Sequence, residues 1–202
     1  MVEEGVVNVT FVLGDEESHG IFGLGAKIPD VMSAVELAFA LGLAGNSGTC
    51  TCLLDTEFMV WDDNIAINWS LIPSKFLISV GGPGVNLLSL YYNGTCPFAW
   101  LYTPGVRSCL YSSLTGRCYV SGYRRYDYAL IQLHYDEDSG RHVLVVWGLS
   151  RYGTQAACLL LQHYSEYRGI LSGAAVLVKW EDSNHNRRVD DEDSVYLVER
   201  WP

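Results

Sequence analysis

The feature that most constrains this chain is a recurring unit: an apolar run of strand length, a corner rich in glycine, then a segment with helical spacing. Residues 6–14, VVNVTFVLG, alternate and are rich in β-branched types. Glycine-bearing loops follow, then PDVMSAVELAFALG, where Val31, Ala34, Val35, Leu37, Ala38 and Leu41 fall on one helical face behind Asp30. Gly42 or Gly45 is expected to end that helix. The unit returns as KFLISV, GGPGVN and LLSLYY over residues 75–92. It returns again as RHVLVVWG, LSRYGT and QAACLLLQHYSEY over residues 141–167, with Gln155, Gln162 and Glu166 turned from the core. Uninterrupted apolar strands that alternate with helices require a sheet covered on both faces. The expectation is therefore one α/β domain over residues 1–202, a three-layer arrangement with a mixed β-sheet and helices packed on it.

Other stretches elaborate that frame. TEFMVWDDNIAINWSL reads as a hairpin hinged at Asp62-Asp63-Asn64. YALIQLHY alternates before an EDSG turn, and AAVLVKW and VYLVERW supply two closing strands around a polar loop. Residues from about 95 to 126 are rich in Tyr, Gly, Ser and Cys and lack periodicity, so they form a loop- or β-rich insertion. With 202 residues, 49% hydrophobic and 18% charged, the chain buries roughly 70% of the surface it exposes when unfolded.

Charge narrows the partners. The formal charge is −10, from 23 acids against 13 bases, and the basic runs are Arg124-Arg125 and Arg187-Arg188. That balance argues against nucleic acid and anionic membrane surfaces. No stretch reaches the roughly 18 apolar residues of a bilayer span, so membrane insertion is not expected. The start, MVEEGVV, lacks the pattern of an export signal. Asn-x-Ser/Thr triplets at Asn8, Asn68 and Asn93, an even cysteine count and three lysines nevertheless lean toward an extracellular or cell-surface setting. The expectation is then an excised surface domain. Cys109 and Cys118 flank a turn between two short strands and are the candidate disulfide, Cys50, Cys52 and Cys96 leave a second pairing open, and Cys158 in an apolar run reads as a buried thiol.

Residues 182–193, DSNHNRRVDDED, carry the sharpest chemical signal. Calcium takes six to eight oxygens, and a twelve-residue loop offers them from positions one, three, five, seven, nine and twelve. Those positions are Asp182, Asn184, Asn186, the Arg188 carbonyl, Asp190 and Asp193. Position six is Arg187 where glycine is usual, position twelve is Asp rather than Glu, and the flanks read as strands. The competing expectation is a solvated acidic turn in which Arg187 and Arg188 neutralise the carboxylates. Asp at position twelve resembles dockerin-type loops.

Catalytic motifs are weaker. The loop at residues 81–86 has neither the Lys-Ser/Thr ending of a P-loop nor dinucleotide-fold spacing, and Asn86 reads as a helix cap. GLSRYGT sits where a hydrolase holds its nucleophile, with one residue too many for G-x-S-x-G. His134, His142 and His163 are the histidines that could serve as its base. No catalytic residues are assigned. The aromatics gathered between Tyr91 and Tyr128 could stack on a glycan or on a protein.

Three blocks taken together resemble the archaeal S-layer proteins of the methanococcal and thermococcal type. GLGAKIPDVMSAVELAFALG is similar to their "GA…DV(V/M)SA…IA..LG" stretch, SVGGPGVNLL to "VGGPxxNxL", and VLVVWGLSRYGTQAACLLL to "V.VAG….GT.AA..L", in the same order. The matching positions are Gly25, Ala26, Asp30, Ser33, Ala34, Gly42, Gly81, Gly82, Pro83, Asn86, Gly153 and Thr154. The resemblance implies a surface-coat domain that acts through protein–protein contacts, including self-association. Physically those residues read as joints between strand and helix. A ligand-binding or hydrolytic domain using residues 81–84 and 148–154 is the alternative.

Overall fold

A computed structural model of the chain describes residues 2–102 and 108–202. The strands are β1 (Val2–Glu3), β2 (Val6–Leu13), β3 (Ser47–Leu54), β4 (Met59–Asp62), β5 (Asn64–Ile67), β6 (Phe76–Val80), β7 (Phe98–Leu101), β8 (Cys109–Ser112), β9 (Arg117–Tyr119), β10 (Tyr126–Asp136), β11 (Arg141–Gly148), β12 (Ala175–Glu181) and β13 (Ser194–Trp201). The helices are α1 (Ile28–Ala44), α2 (Leu87–Tyr91), α3 (Arg151–Gln162) and α4 (Tyr164–Tyr167). The fold is mixed α/β.

Eight strands form the main sheet. β3 and β6 flank β2 in parallel, β1 pairs antiparallel with its first residues, and β11 lies parallel to β6. Beyond β11 the order is β10, β12, β13, every pair antiparallel. The central parallel pair β6 and β11 are apolar runs, as their burial requires: Leu77, Ile78 and Val80 of β6 and Val143 to Trp147 of β11 are buried.

The two faces of the sheet bury different things. Val9, Phe11, Ile78, Ile131, Val146 and Val176 pack with Ala34 and Leu37 of α1 and Ala157, Cys158 and Leu160 of α3. Val12, Leu77, Leu130, Val145 and Leu177 pack with Leu87 and Leu88 of α2, with Met59 of the β4–β5 hairpin and with Phe98 and Leu110 of the insertion. The hairpin turns at Asp63, with Asp62 opposite Asn64. The insertion is a three-stranded antiparallel sheet, β7–β8–β9. Cys109 and Cys118 form its disulfide, with Cα atoms 5.5 Å apart, while Cys50, Cys52, Cys96 and Cys158 are free thiols.

Several boundaries differ from the sequence reading. Lys27, not Asp30, is the N-cap of α1. Pro29 lies in its first turn and Asp30 is buried inside the helix. The buried face is Ser33, Ala34 and Leu37, with Ala38 and Leu41 against the core, whereas Val31 and Val35 are exposed. A helix apolar on nearly every side gives periodicity too little contrast to choose a face. α3 starts at Arg151, so Gly153 and Thr154 lie in its first turn rather than in a loop. α2 is five residues long and capped by Asn86, whose Oδ1 accepts from Leu88 N at 3.0 Å and Ser89 N at 3.2 Å.

Candidate functional site

The carboxyl ends of β2, β6 and β11 come together at the glycine corners. In an open α/β sheet, ligands settle where neighbouring strands send the chain in opposite directions, and here that place lies between β2, which leads to β3, and β6. It is filled by the chain itself. Asn86 Nδ2 donates to the carbonyls of Val12 at 3.1 Å and Val80 at 3.2 Å. A Cβ on Gly14 would collide with the Val85 carbonyl oxygen, and one on Gly153 would stand 2.7 Å from the Tyr128 carbonyl oxygen.

Asp30 is one titratable side chain at this junction. It is 7% exposed, and a Cβ on Gly81 would stand 3.8 Å from its carboxyl carbon. Burial pushes its pKa up to about 6 against the pull of the Lys27 amide and the Thr154 hydroxyl. The Thr154 hydroxyl also accepts from Gly148 N at 3.0 Å, so β11, α3 and α1 meet through it. Ser33 donates to the Pro29 carbonyl at 2.9 Å.

The serine of GLSRYGT is committed elsewhere. Ser150 Oγ donates to Asp127 Oδ2 at 2.6 Å and caps α3 through Tyr152 N. Asp127 also accepts from Ser150 N, Gly153 N and Tyr128 N, each at 2.9 Å; burial raises its pKa despite those bonds. The histidines lie at the far ends of the same elements. His134 and His142 sit toward the turn that joins β10 to β11, whereas Ser150 lies past the open end of that hairpin, where Ala129 faces Gly148. His163 closes the opposite end of α3, 3.5 Å from Asp191.

Long-range clamps were not legible in the sequence. Asp55, fully buried, accepts from Asp15 N and Thr56 N on one oxygen and from Leu87 N and the His19 ring on the other. The His19 ring meets an acceptor at each nitrogen, the Glu17 carbonyl at 2.8 Å and Asp55 at 2.9 Å. Both contacts are satisfied only by the imidazolium. Burial pulls the His19 pKa down, and the Glu17 and Asp55 contacts raise it past its ordinary value. Arg141 donates to the carbonyls of Trp69, Ile72, Ser74 and Ser139. Glu199 of β13 accepts from Ser112, Thr115 and Tyr119, which fastens the insertion to the sheet.

The 182–193 loop joins β12 to β13. Val189 packs beside Tyr152, Ala156 and Trp180 and anchors it. Asp182 Oδ2 accepts from Arg187 N at 3.2 Å, Asn184 Oδ1 from Asn186 N at 3.0 Å, and Asn186 Oδ1 from Arg188 N at 2.7 Å. Trp180 Nε1 and Ser183 N each donate to Asp193 at 2.9 Å. His185 and Arg187 hold φ of 60° and 63°, the left-handed region glycine favours. Among the described residues no ion pair within 4.0 Å joins Arg187 or Arg188 to an acid of the loop. The amides of Asn184 and Asn186 instead donate to Asp190, and with Arg188 nearby they hold its carboxyl below the usual range. Among the described residues no three His, Cys, Asp or Glu side chains converge on one metal position, so this donor set depends on amide and carbonyl oxygens as well.

Two further surfaces stand out. A cavity of about 750 Å³ opens between α1, α3 and the sheet, lined by Leu37, Leu41, Ile78, Ile131, Leu144 and Leu161 among others. On the outside of α1, Ile28, Met32, Val35, Phe39 and Leu43 form an exposed apolar stripe, with Val35 at 62%, Phe39 at 69% and Leu43 at 72%. Beside it β3 is exposed along nearly its whole length and carries Cys50 and Cys52 on the face that Val9 and Phe11 share. Among the described helices none is long and apolar enough to cross a membrane. No protein-family model matches the chain, and neither does any curated protein.

Proposed function

We propose that the chain is a non-enzymatic, S-layer-like structural or adhesion domain of a cell surface, working through protein–protein contacts and first of all through association with its own copies. The observation that carries this reading is the Asn86 amide in the crevice between β2 and β6, where a ligand-binding α/β domain would keep room for a substrate. Gly81, Gly82, Pro83, Asn86, Gly153 and Thr154 then serve as joints that let sheet and helix approach closely. The arrangement is a three-layer domain, with α1 and α3 over one face and α2, the hairpin and the insertion over the other. The apolar stripe of α1 beside the outer edge of β3, a strand paired only with β2 among the described residues, is the contact surface, since large exposed apolar patches mark interaction sites and an open strand edge invites pairing. The Cys109–Cys118 disulfide and the exposed Asn8 and Asn68 of two glycosylation triplets support an extracellular setting.

Sedimentation velocity across a concentration series tests this. The wild-type protein should gain mass with concentration, and Phe39→Glu should remain monomeric with an unchanged circular dichroism spectrum. A wild-type protein that is monomeric throughout, or a variant that associates as well as wild type, contradicts it. A second reading rests on Trp100 and Tyr102, which stack at 5.6 Å with Phe22 edge-on to both. Such a platform suits a glycan, and a saccharide that quenches Trp100 fluorescence would favour it.

A further inference from the structure

We infer that the 182–193 loop is a calcium site, a conclusion that does not depend on the proposed surface role. The observation beyond the acidic composition is one oxygen. Asp182 is 7% exposed, and its Oδ1 is buried with no hydrogen-bond partner, while its Oδ2 is turned into the loop toward Arg187 N. A carboxylate oxygen taken out of water and left bare is costly, and a bound cation removes that cost. Asp182 is position one of the twelve, the first ligand of such a loop.

The remaining donors have the spacing of such a loop and, since no three acids converge among the described residues, close on the ion as it binds. Asn184 and Asn186 keep their Oδ1 atoms on the backbone amides two residues on, with a second lone pair free. The Arg188 carbonyl, Asp190 and Asp193 complete six oxygens, the lower end of what calcium takes. Arg187 and Arg188 are exposed and neutralise none of these acids through a close ion pair. Asp190, which accepts from the Asn184 and Asn186 amides, would turn from them to the ion when it enters. Magnesium fits less well, since it demands a tighter octahedron and keeps its waters. Neutral amides at positions three and five and the strained Arg187 favour weak binding, with a Kd of about 10⁻⁴–10⁻³ M.

Trp180 provides the test, because its indole donates to Asp193 and can pass excitation to a lanthanide bound there. Metal-free protein is titrated with terbium while tryptophan is excited, and calcium or magnesium is then added. The inference expects saturable terbium emission that calcium displaces and equal magnesium does not. Asp182→Ala should weaken calcium binding, read by calorimetry, by at least about tenfold, since loss of even a supporting partner commonly costs that much. If Asp182→Ala does not fold, Asn186→Ala makes the same test at an exposed position. Absence of saturable emission, emission that calcium fails to displace, or affinity unchanged in the folded variant overturns the inference.

Discussion

Replacing Asp30 by Asn should stabilise the protein at neutral pH and flatten its stability against pH. The carboxyl sits at about 6 in the fold, against 3.8 in the open chain, because burial opposes its charge. The folded state therefore binds the proton more tightly, and stability falls as pH rises from about 3.8 through about 6. Above that window the full penalty stands, about 3 kcal/mol at roughly 1.4 kcal/mol per tenfold change in proton affinity. With the residue 7% exposed, solvent screening reduces it little. Asn keeps an oxygen toward Lys27 and Thr154 but brings an NH₂ that needs an acceptor, so a net gain of about 1–2 kcal/mol is expected. For a chain of this size that raises Tm by roughly 2–8 °C at neutral pH, and the gap should narrow at about pH 4.5. Thermal unfolding followed by circular dichroism at both pH values reads it. A variant less stable than wild type at neutral pH, or a gap of equal size at both, refutes the reasoning.

Two other substitutions probe the same architecture. Gly14→Ala should cost about 3 kcal/mol or more, because the Val85 carbonyl occupies the place of the new methyl, whereas Gly42→Ala, with open space around it in α1, should gain up to about 1 kcal/mol. Equal effects in urea unfolding would mean that the Gly14 corner is loose. His19→Asn should weaken the protein at about pH 6 and matter less at about pH 9. The raised folded pKa of His19 makes its contribution complete below 6.5 and lost as pH climbs through the folded value. An imidazole seen by NMR to titrate below 6.5 would sink that account.

Local pattern carried the sheet and failed where partners are remote. The runs at residues 76–80 and 143–147 were legible as strands because burial on both faces leaves them apolar except for Ser79. The Asn86 cap was legible too, since it acts on its own helix. The filled crevice was not, because the same Asn86 reaches Val12, 74 residues earlier. Glu199 meets Ser112 across 87 residues and Asp55 meets Asp15 across 40, and nothing near either acid in the chain announces its partners. In α1 the apolar excess hid which face was core, and that same excess is the stripe now assigned to a partner. The 182–193 loop showed its donor spacing in the sequence, but the bare Asp182 oxygen became visible only with the fold.

Hydrogen–deuterium exchange across a protein-concentration series bears most directly on the claim that this domain acts by association rather than by holding a substrate at its corners. The account predicts that amides of β3 and the outer turns of α1 exchange more slowly as concentration rises, while residues 81–86 and 148–154 stay as they were. Exchange that ignores concentration everywhere would contradict it.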